Sequence, residues 1–144
     1  METKTKMSGK HTYSFTDTKE FEVVDSEGHV LSLRKAEGVN KSSGEGAFLN
    51  DARMVNLSFD DLVMGNGPHQ GYAIMEKDGD KAVTKWQGKI ETKMQDGKPV
   101  ITFGGTFSFI SGTGILEKVV GGSGTYKGYF TSETTYVVDW EGEL

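Results

Sequence analysis

The sequence predicts an all-β chain folded as a closed antiparallel eight-stranded barrel. Three observations point there: period-two alternation of apolar and polar residues, turn-forming clusters at hairpin spacing, and a near absence of helical periodicity. Glycine supplies 20 of the 144 residues and proline only 2, so the glycine excess reads as frequent tight turns and not as disorder. A chain of this length suits one domain with one core. Eight strands closed on themselves leave no free edge, and a lumen of that size is either filled by side chains or holds one small ligand. The expected organisation is a flexible polar tail over residues 1–10 followed by a single barrel domain over 11–144.

Taken in order, His11, Tyr13 and Phe15 share one face of a strand, and Phe21 and Val23 mark a further one. The cluster Asp25-Ser26-Glu27-Gly28 turns the chain, and Leu31 and Leu33 begin the next strand. After Asn40-Lys41-Ser42-Ser43-Gly44, another strand carries Val55, Leu57 and Phe59 on one face. Gly65-Asn66-Gly67-Pro68 then leads to one with Tyr72 and Ile74. The clearest alternation follows Asp78-Gly79: Ala82, Thr84, Trp86, Gly88, Ile90, Thr92 and Met94 form an apolar or small face, against Lys85, Gln87, Lys89, Glu91 and Lys93. Asp96-Gly97 is a hairpin turn, after which Ile101, Phe103, Gly105, Phe107 and Phe109 continue the inner face. Ile115 to Val120 could form one helical turn between glycines, being too short for an independent helix. Phe130, Tyr136, Val138 and Trp140 complete the strands.

Composition excludes several function classes. There is no cysteine, hence no disulfide, thiolate metal site or cysteine nucleophile. A net charge of -5 and a pI near 5.2 disfavour adhesion to nucleic acid or anionic lipid. The first ten residues lack the apolar core of a secretory leader, and no run reaches the roughly 18 apolar residues of a spanning helix. An outer-membrane barrel of this length requires an apolar outer band, whereas the outward positions read as charged. The expected setting is therefore soluble and cytoplasmic, with no nucleic-acid or membrane partner.

The most distinctive segment is Gly121-Gly122-Ser123-Gly124-Thr125-Tyr126-Lys127-Gly128, preceded by Ser111-Gly112-Thr113-Gly114. It has neither the spacing of a P-loop nor that of a dinucleotide fingerprint, and no helix follows it. Its elementary reading is steric: missing Cβ atoms let a neighbouring strand or an aromatic ring approach the backbone. The combination of Gly-Thr-Gly, a short hydrophobic link and the second glycine run resembles the C-terminal half of the allene oxide cyclase barrel-like superfamily, nearest to its small bacterial members of unknown function. The motif covers residues 111 to about 131. The resemblance implies an eight-stranded barrel, a small-molecule-sized interior and a homodimer or homotrimer. No catalytic residue is carried over, because the family's glutamate and its water-holding neighbours have no counterpart that can be aligned. A lipocalin-like barrel is the structural rival, weakened because neither Trp86 nor Trp140 stands in a Gly-x-Trp context.

Few residues suggest chemistry directly. His11, His29 and His69 lack zinc-site spacing. His29 and His69 read as turn residues, and His11 as facing inward. Asp60 and Asp61 cannot both face one cavity, since neighbours in a strand point oppositely. No nucleophile elbow occurs. Polar residues sharing parity with apolar ones are more informative, because burying them requires a partner or a purpose. On that basis Arg53, Tyr72, Glu76, Trp86, Phe107 and Tyr136 are expected to line a ligand cavity, the arginine meeting an anionic or carbonyl group. No metal or cofactor is called for. The expected function is binding of a hydrophobic or amphipathic small molecule in the barrel, or a purely structural role. The alternatives are an isomerase or cyclase acting on a flexible unsaturated substrate, for which a buried, water-holding carboxylate beside a polar cluster would speak, and a homo-oligomeric interaction module, for which a solidly filled barrel with one broad apolar outer patch would speak.

Overall fold

A computed structural model describes residues 5–144. Its strands are β1 (Lys6–Glu22), β2 (His29–Lys41), β3 (Arg53–Val63), β4 (Gly67–Lys77), β5 (Asp80–Gln95), β6 (Lys98–Gly112), β7 (Ser123–Phe130) and β8 (Thr135–Glu143). Each pairs antiparallel with the next, and β8 returns to β1 through pairs such as Lys10 with Asp139, closing the barrel. The expected fold class is thereby established at the level of an all-β, closed antiparallel eight-stranded barrel. Two short 3-10 turns, Gly44–Leu49 and Gly114–Val119, interrupt the strand succession. The second coincides with the helical turn expected from the sequence.

β5 and β6 form the long hairpin that their alternation predicts, with Trp86 opposite Phe107 and Asp96 and Gly97 at the turn. Trp86, Ile90, Phe103, Phe107 and Phe109 all face the core. On the other side of β5 stand Lys85, Lys89 and Lys93, where ammonium groups stay hydrated.

Three expectations are corrected. The tail expected over residues 1–10 is strand from Lys6 onward, because Lys6, Ser8 and Lys10 find backbone partners on β8; residues 1–4 lie outside the described residues. In β1 a register shift between Phe15 and Asp17 adds one residue to the strand. Phe15 faces inward, but after this bulge the parity inverts and Phe21 points outward, 68% exposed. In β2, β3 and β4 the expected apolar faces are also outside: Leu33 is 58% exposed, and Leu57, Phe59 and Tyr72 are exposed as well.

The physical reason is an exchange of roles between the two sides of the barrel. The lumen is filled by large rings from β5 to β8 and β1, namely Trp86, Phe103, Phe107, Tyr126, Tyr136, Trp140 and Tyr13. Facing strands must then contribute small or short polar side chains, and Ser32, Ala36, Asn56, Ser58 and Ala73 do so. Their apolar neighbours are left on the outer surface.

One end of the barrel is plugged. Leu49 from the first 3-10 turn and Leu116 and Val119 from the second are fully buried, and Lys118 lies over the Phe48 ring at 4.0 Å, tying the two turns together. Buried Asn40 fixes the first turn by donating to the Leu49 carbonyl at 2.9 Å, while Trp140 Nε1 donates to Asn40 Oδ1 at 2.9 Å. The other end is ringed by the four short hairpin connections β1–β2, β3–β4, β5–β6 and β7–β8.

Candidate polar site in the barrel lumen

The lumen encloses a cavity of about 80 Å³. Its wall is mostly aromatic, and polar groups enter it from β3 and β4. On β3, Met54, Asn56, Ser58 and Asp60 alternate inward; on β4, His69, Ala73 and Met75 do so. Asp60 and His69 are direct cross-strand partners.

Asp60 is the least ordinary of these groups. Its side chain is only 5% exposed. Among the described residues its closest cation is the Arg34 guanidinium, whose Nε lies 3.9 Å from Oδ2, beyond hydrogen-bond reach. Burial pushes the Asp60 carboxyl up to about 6, with Arg34 opposing and Glu20 adding to the rise. Arg34 itself packs over the Phe15 ring at 5.0 Å and donates from Nη2 to Glu20 at 3.0 Å, while its buried Nε has no hydrogen-bond partner among the described residues.

His69 Nε2 and the Tyr126 hydroxyl share a hydrogen bond of 2.9 Å. Burial pushes the imidazole down to about 4, so it is neutral at pH 7, and pushes the Tyr126 phenol up, first by desolvation and then through the Asp60 charge. Tyr126 reaches this position because β5 and β6 carry glycine where it crosses: a Cβ on Gly88 or Gly105 would lie 2.7 Å from its hydroxyl. The same logic explains part of the glycine-rich segment, where the Phe103 ring lies against the backbone of Gly128, with Cε2 2.6 Å from the position of a Cβ.

A second polar element spans the lumen. Trp86 Nε1 donates to Asn56 Oδ1 at 2.9 Å, and Asn56 Nδ2 donates to the Tyr136 hydroxyl at 2.8 Å, connecting β5, β3 and β8. Toward the plugged end His11 faces inward, as expected, between Tyr13 and Trp140. Its Nδ1 lies 3.2 Å from the Tyr13 hydroxyl, its Nε2 is buried without a partner among the described residues, and burial pushes the ring down to about 3.

Of the six residues expected to line the cavity, Trp86, Phe107 and Tyr136 do. Arg53, Tyr72 and Glu76 do not: they share the outward parity of β3 and β4. Arg53 is solvated and donates to Glu37 at 2.7 Å, with Glu76 opposite it on β4. Tyr72 is exposed beside Leu57. His69, expected in a turn, is inside the barrel. His29 starts β2 and binds Asp25 and Asp61 at 2.6 and 2.5 Å, contacts that raise its pKa. The opposed orientation of Asp60 and Asp61 is as the strand geometry requires, with Asp60 inside and Asp61 outside.

The arrangement can do two things chemically. It presents a carboxyl and an imidazole from one side of a largely aromatic chamber, and its carboxyl changes protonation near neutrality. Among the described residues no group of three or more His, Asp or Glu side chains is placed to hold a metal ion, and no helix is long and apolar enough to cross a membrane. No model of a known protein family and no curated protein matches the chain.

Proposed function

We propose that the barrel binds a hydrophobic or amphipathic small molecule in its lumen, with the apolar part against Trp86, Phe107 and Tyr136 and the polar part toward Asp60 and His69. The observation that carries this reading is Asp60, a desolvated carboxyl lining an aromatic cavity with no hydrogen-bond donor on it among the described residues. A buried ionised group without such donors lowers stability, and a site of that kind is accounted for by what it recognises. The closed barrel and the glycine-rich segment support placement beside the allene oxide cyclase barrel-like proteins, acting in the cytoplasm. The test is native mass spectrometry of freshly purified protein. A co-purifying small molecule, lost in Trp86→Ala and Asp60→Leu, is the expected result; an empty native chain that also takes up nothing from a metabolite extract would refute the reading.

Two other readings have an observation each. An isomerase or cyclase draws on the same Asp60, since a carboxyl titrating near 6 beside His69 and Tyr126 suits proton transfer near neutrality. A homo-oligomeric interaction module draws on the outer face. Leu33 pairs with Phe59, Leu57 with Tyr72, Val55 with Ile74 and Ile74 with Val83, giving a continuous apolar stripe across β2 to β5. Lys35 and Lys85 flank it, as do Glu37 and Glu76. A margin of both signs suits a second copy of the chain as homodimer or homotrimer better than a uniformly charged partner.

A further inference from the structure

We infer that the lumen selects a small organic cation, a protonated amine on a short apolar body, with its ammonium group seated against Asp60. The inference rests on the ligand-binding reading above and names the class of ligand.

Among the described residues Asp60 is the one charged side chain that lines the cavity. The two histidines that line it, His11 and His69, are held neutral at pH 7 by burial. Arg34 does not line the cavity, and its guanidinium lies between two carboxylates, 3.0 Å from Glu20 and 3.9 Å from Asp60. One cation against two anions leaves a net negative charge. Glu20 is half exposed and its charge is screened by water, whereas the Asp60 side chain is 5% exposed and opens on the lumen. The uncompensated charge is therefore felt inside the barrel.

Folding has already taken this carboxyl out of water, so a guest that balances it recovers interactions that burial removed. An ammonium supplies both an opposite charge and N–H donors to the oxygens. An alcohol supplies one hydrogen bond and leaves the charge in place, and a carboxylate adds a like charge at close range. The rest of the wall favours the same choice. Trp86, Phe103, Tyr126 and Tyr136 line the chamber, and aromatic faces attract cations and not anions. The Tyr126 and Tyr136 phenols are raised by burial first and also by the Asp60 charge, so rings and carboxylate border the same space. The cavity of about 80 Å³ restricts the apolar body to a short chain.

Burial sets the Asp60 carboxyl at about 6, so binding of a cation there weakens on acidification. The other titratable groups around it, His69 on β4, Tyr126 on β7 and Tyr136 on β8, are neutral at both pH 5 and pH 7.5. The charged groups beside it are Arg34 on β2 and Glu20 on β1.

The experiment titrates n-butylammonium, 1-butanol and butyrate into isotope-labelled full-length protein at about pH 7.5, where an alkylamine is protonated and Asp60 ionised. The readout is the indole N–H resonance of Trp86, which lines the cavity and donates to Asn56. n-Butylammonium is expected to shift this signal with a Kd at least roughly tenfold below those of the other two probes. At about pH 5 roughly a tenth of the protein carries an ionised Asp60, so the apparent Kd for the amine should rise about tenfold while that of 1-butanol stays put. Asp60→Asn, which keeps the shape of the side chain, should abolish both the preference and its pH dependence. 1-Butanol or butyrate binding as tightly as the amine, or an amine Kd unchanged in Asp60→Asn, would overturn the cation assignment and leave the lumen a ligand site. Silence from all three probes would overturn both.

Discussion

Asp60 on β3 and His69 on β4 stand directly opposite one another inside the barrel, and the order of their proton affinities is inverted. Burial raises the carboxyl to about 6 and lowers the imidazole to about 4. In water the pair would be carboxylate and imidazolium between these values. Here the carboxyl is still protonated when the imidazole has lost its proton, so around pH 5 both are neutral. Each charged form lacks a donor or acceptor strong enough to offset its desolvation.

Stability should carry the Asp60 signature. Between its ordinary value of 3.8 and about 6 the native carboxyl holds a proton that the unfolded chain has released. Its contribution therefore falls as pH rises through that window, and the full penalty is present above it. Asp60→Asn is expected to gain on the order of 2–3 kcal/mol at pH 7, with the gain vanishing below about pH 4. Urea denaturation at the two pH values measures the difference.

The two lumen histidines act with the opposite sign. His11 and His69 are depressed from 6.5 to about 3 and about 4, so the unfolded chain binds more protons and stability is lost as pH falls below 6.5. His69→Phe should lower the midpoint of acid unfolding, followed by tryptophan fluorescence, despite the loss of the Tyr126 hydrogen bond.

The Trp86–Asn56–Tyr136 connection predicts unequal effects of substitution at its members. Tyr136→Phe removes one hydrogen bond and should cost about 1 kcal/mol. Asn56→Ala strands both the indole N–H and the phenol in the interior and should cost about 2–4 kcal/mol. Chemical denaturation of both variants checks the ratio, and equal losses would show that Asn56 does not bridge the rings.

On the outer stripe, substitution should leave folding intact and change association. Leu57→Lys is expected to alter stability by no more than about 0.5 kcal/mol, as for an exposed position. If the stripe joins copies of the chain, sedimentation velocity should show a shift from oligomer to monomer in this variant. A native protein that is monomeric at micromolar concentration would remove the interaction reading.

The barrel was legible where each strand had one charged and one apolar side. In β5, Lys85, Gln87, Lys89 and Glu91 leave no doubt which face is wet, and Trp86, Phe107 and Tyr136 were placed in the lumen by that rule. It failed for Arg53, Tyr72 and Glu76 because β3 and β4 reverse the convention: short polar groups inside make room for rings arriving from the far wall, and aliphatic groups lie outside. Local alternation carries no information about the far wall. It also failed for Phe21, since one inserted residue near Thr16 exchanges the faces of everything after it. Asp60 was missed for the first reason, and so was Arg34 on β2, whose faces are likewise reversed; His69 follows the turn-like Gly67-Pro68 and reads as a turn residue, and Tyr126 lies in the glycine-rich segment, where the alternation of faces is masked by glycine. A signal was present in Met54 and Met75, two large apolar residues of the opposite parity to the expected faces, which made the inward assignment of β3 and β4 ambiguous.

Because Leu49, Leu116 and Val119 stopper one end, the barrel is a cup and not a conduit. A guest must depart by the doorway through which it came, past the hairpin rim nearest Asp60. Handing cargo through the molecule from one side to the other is closed off by that stopper.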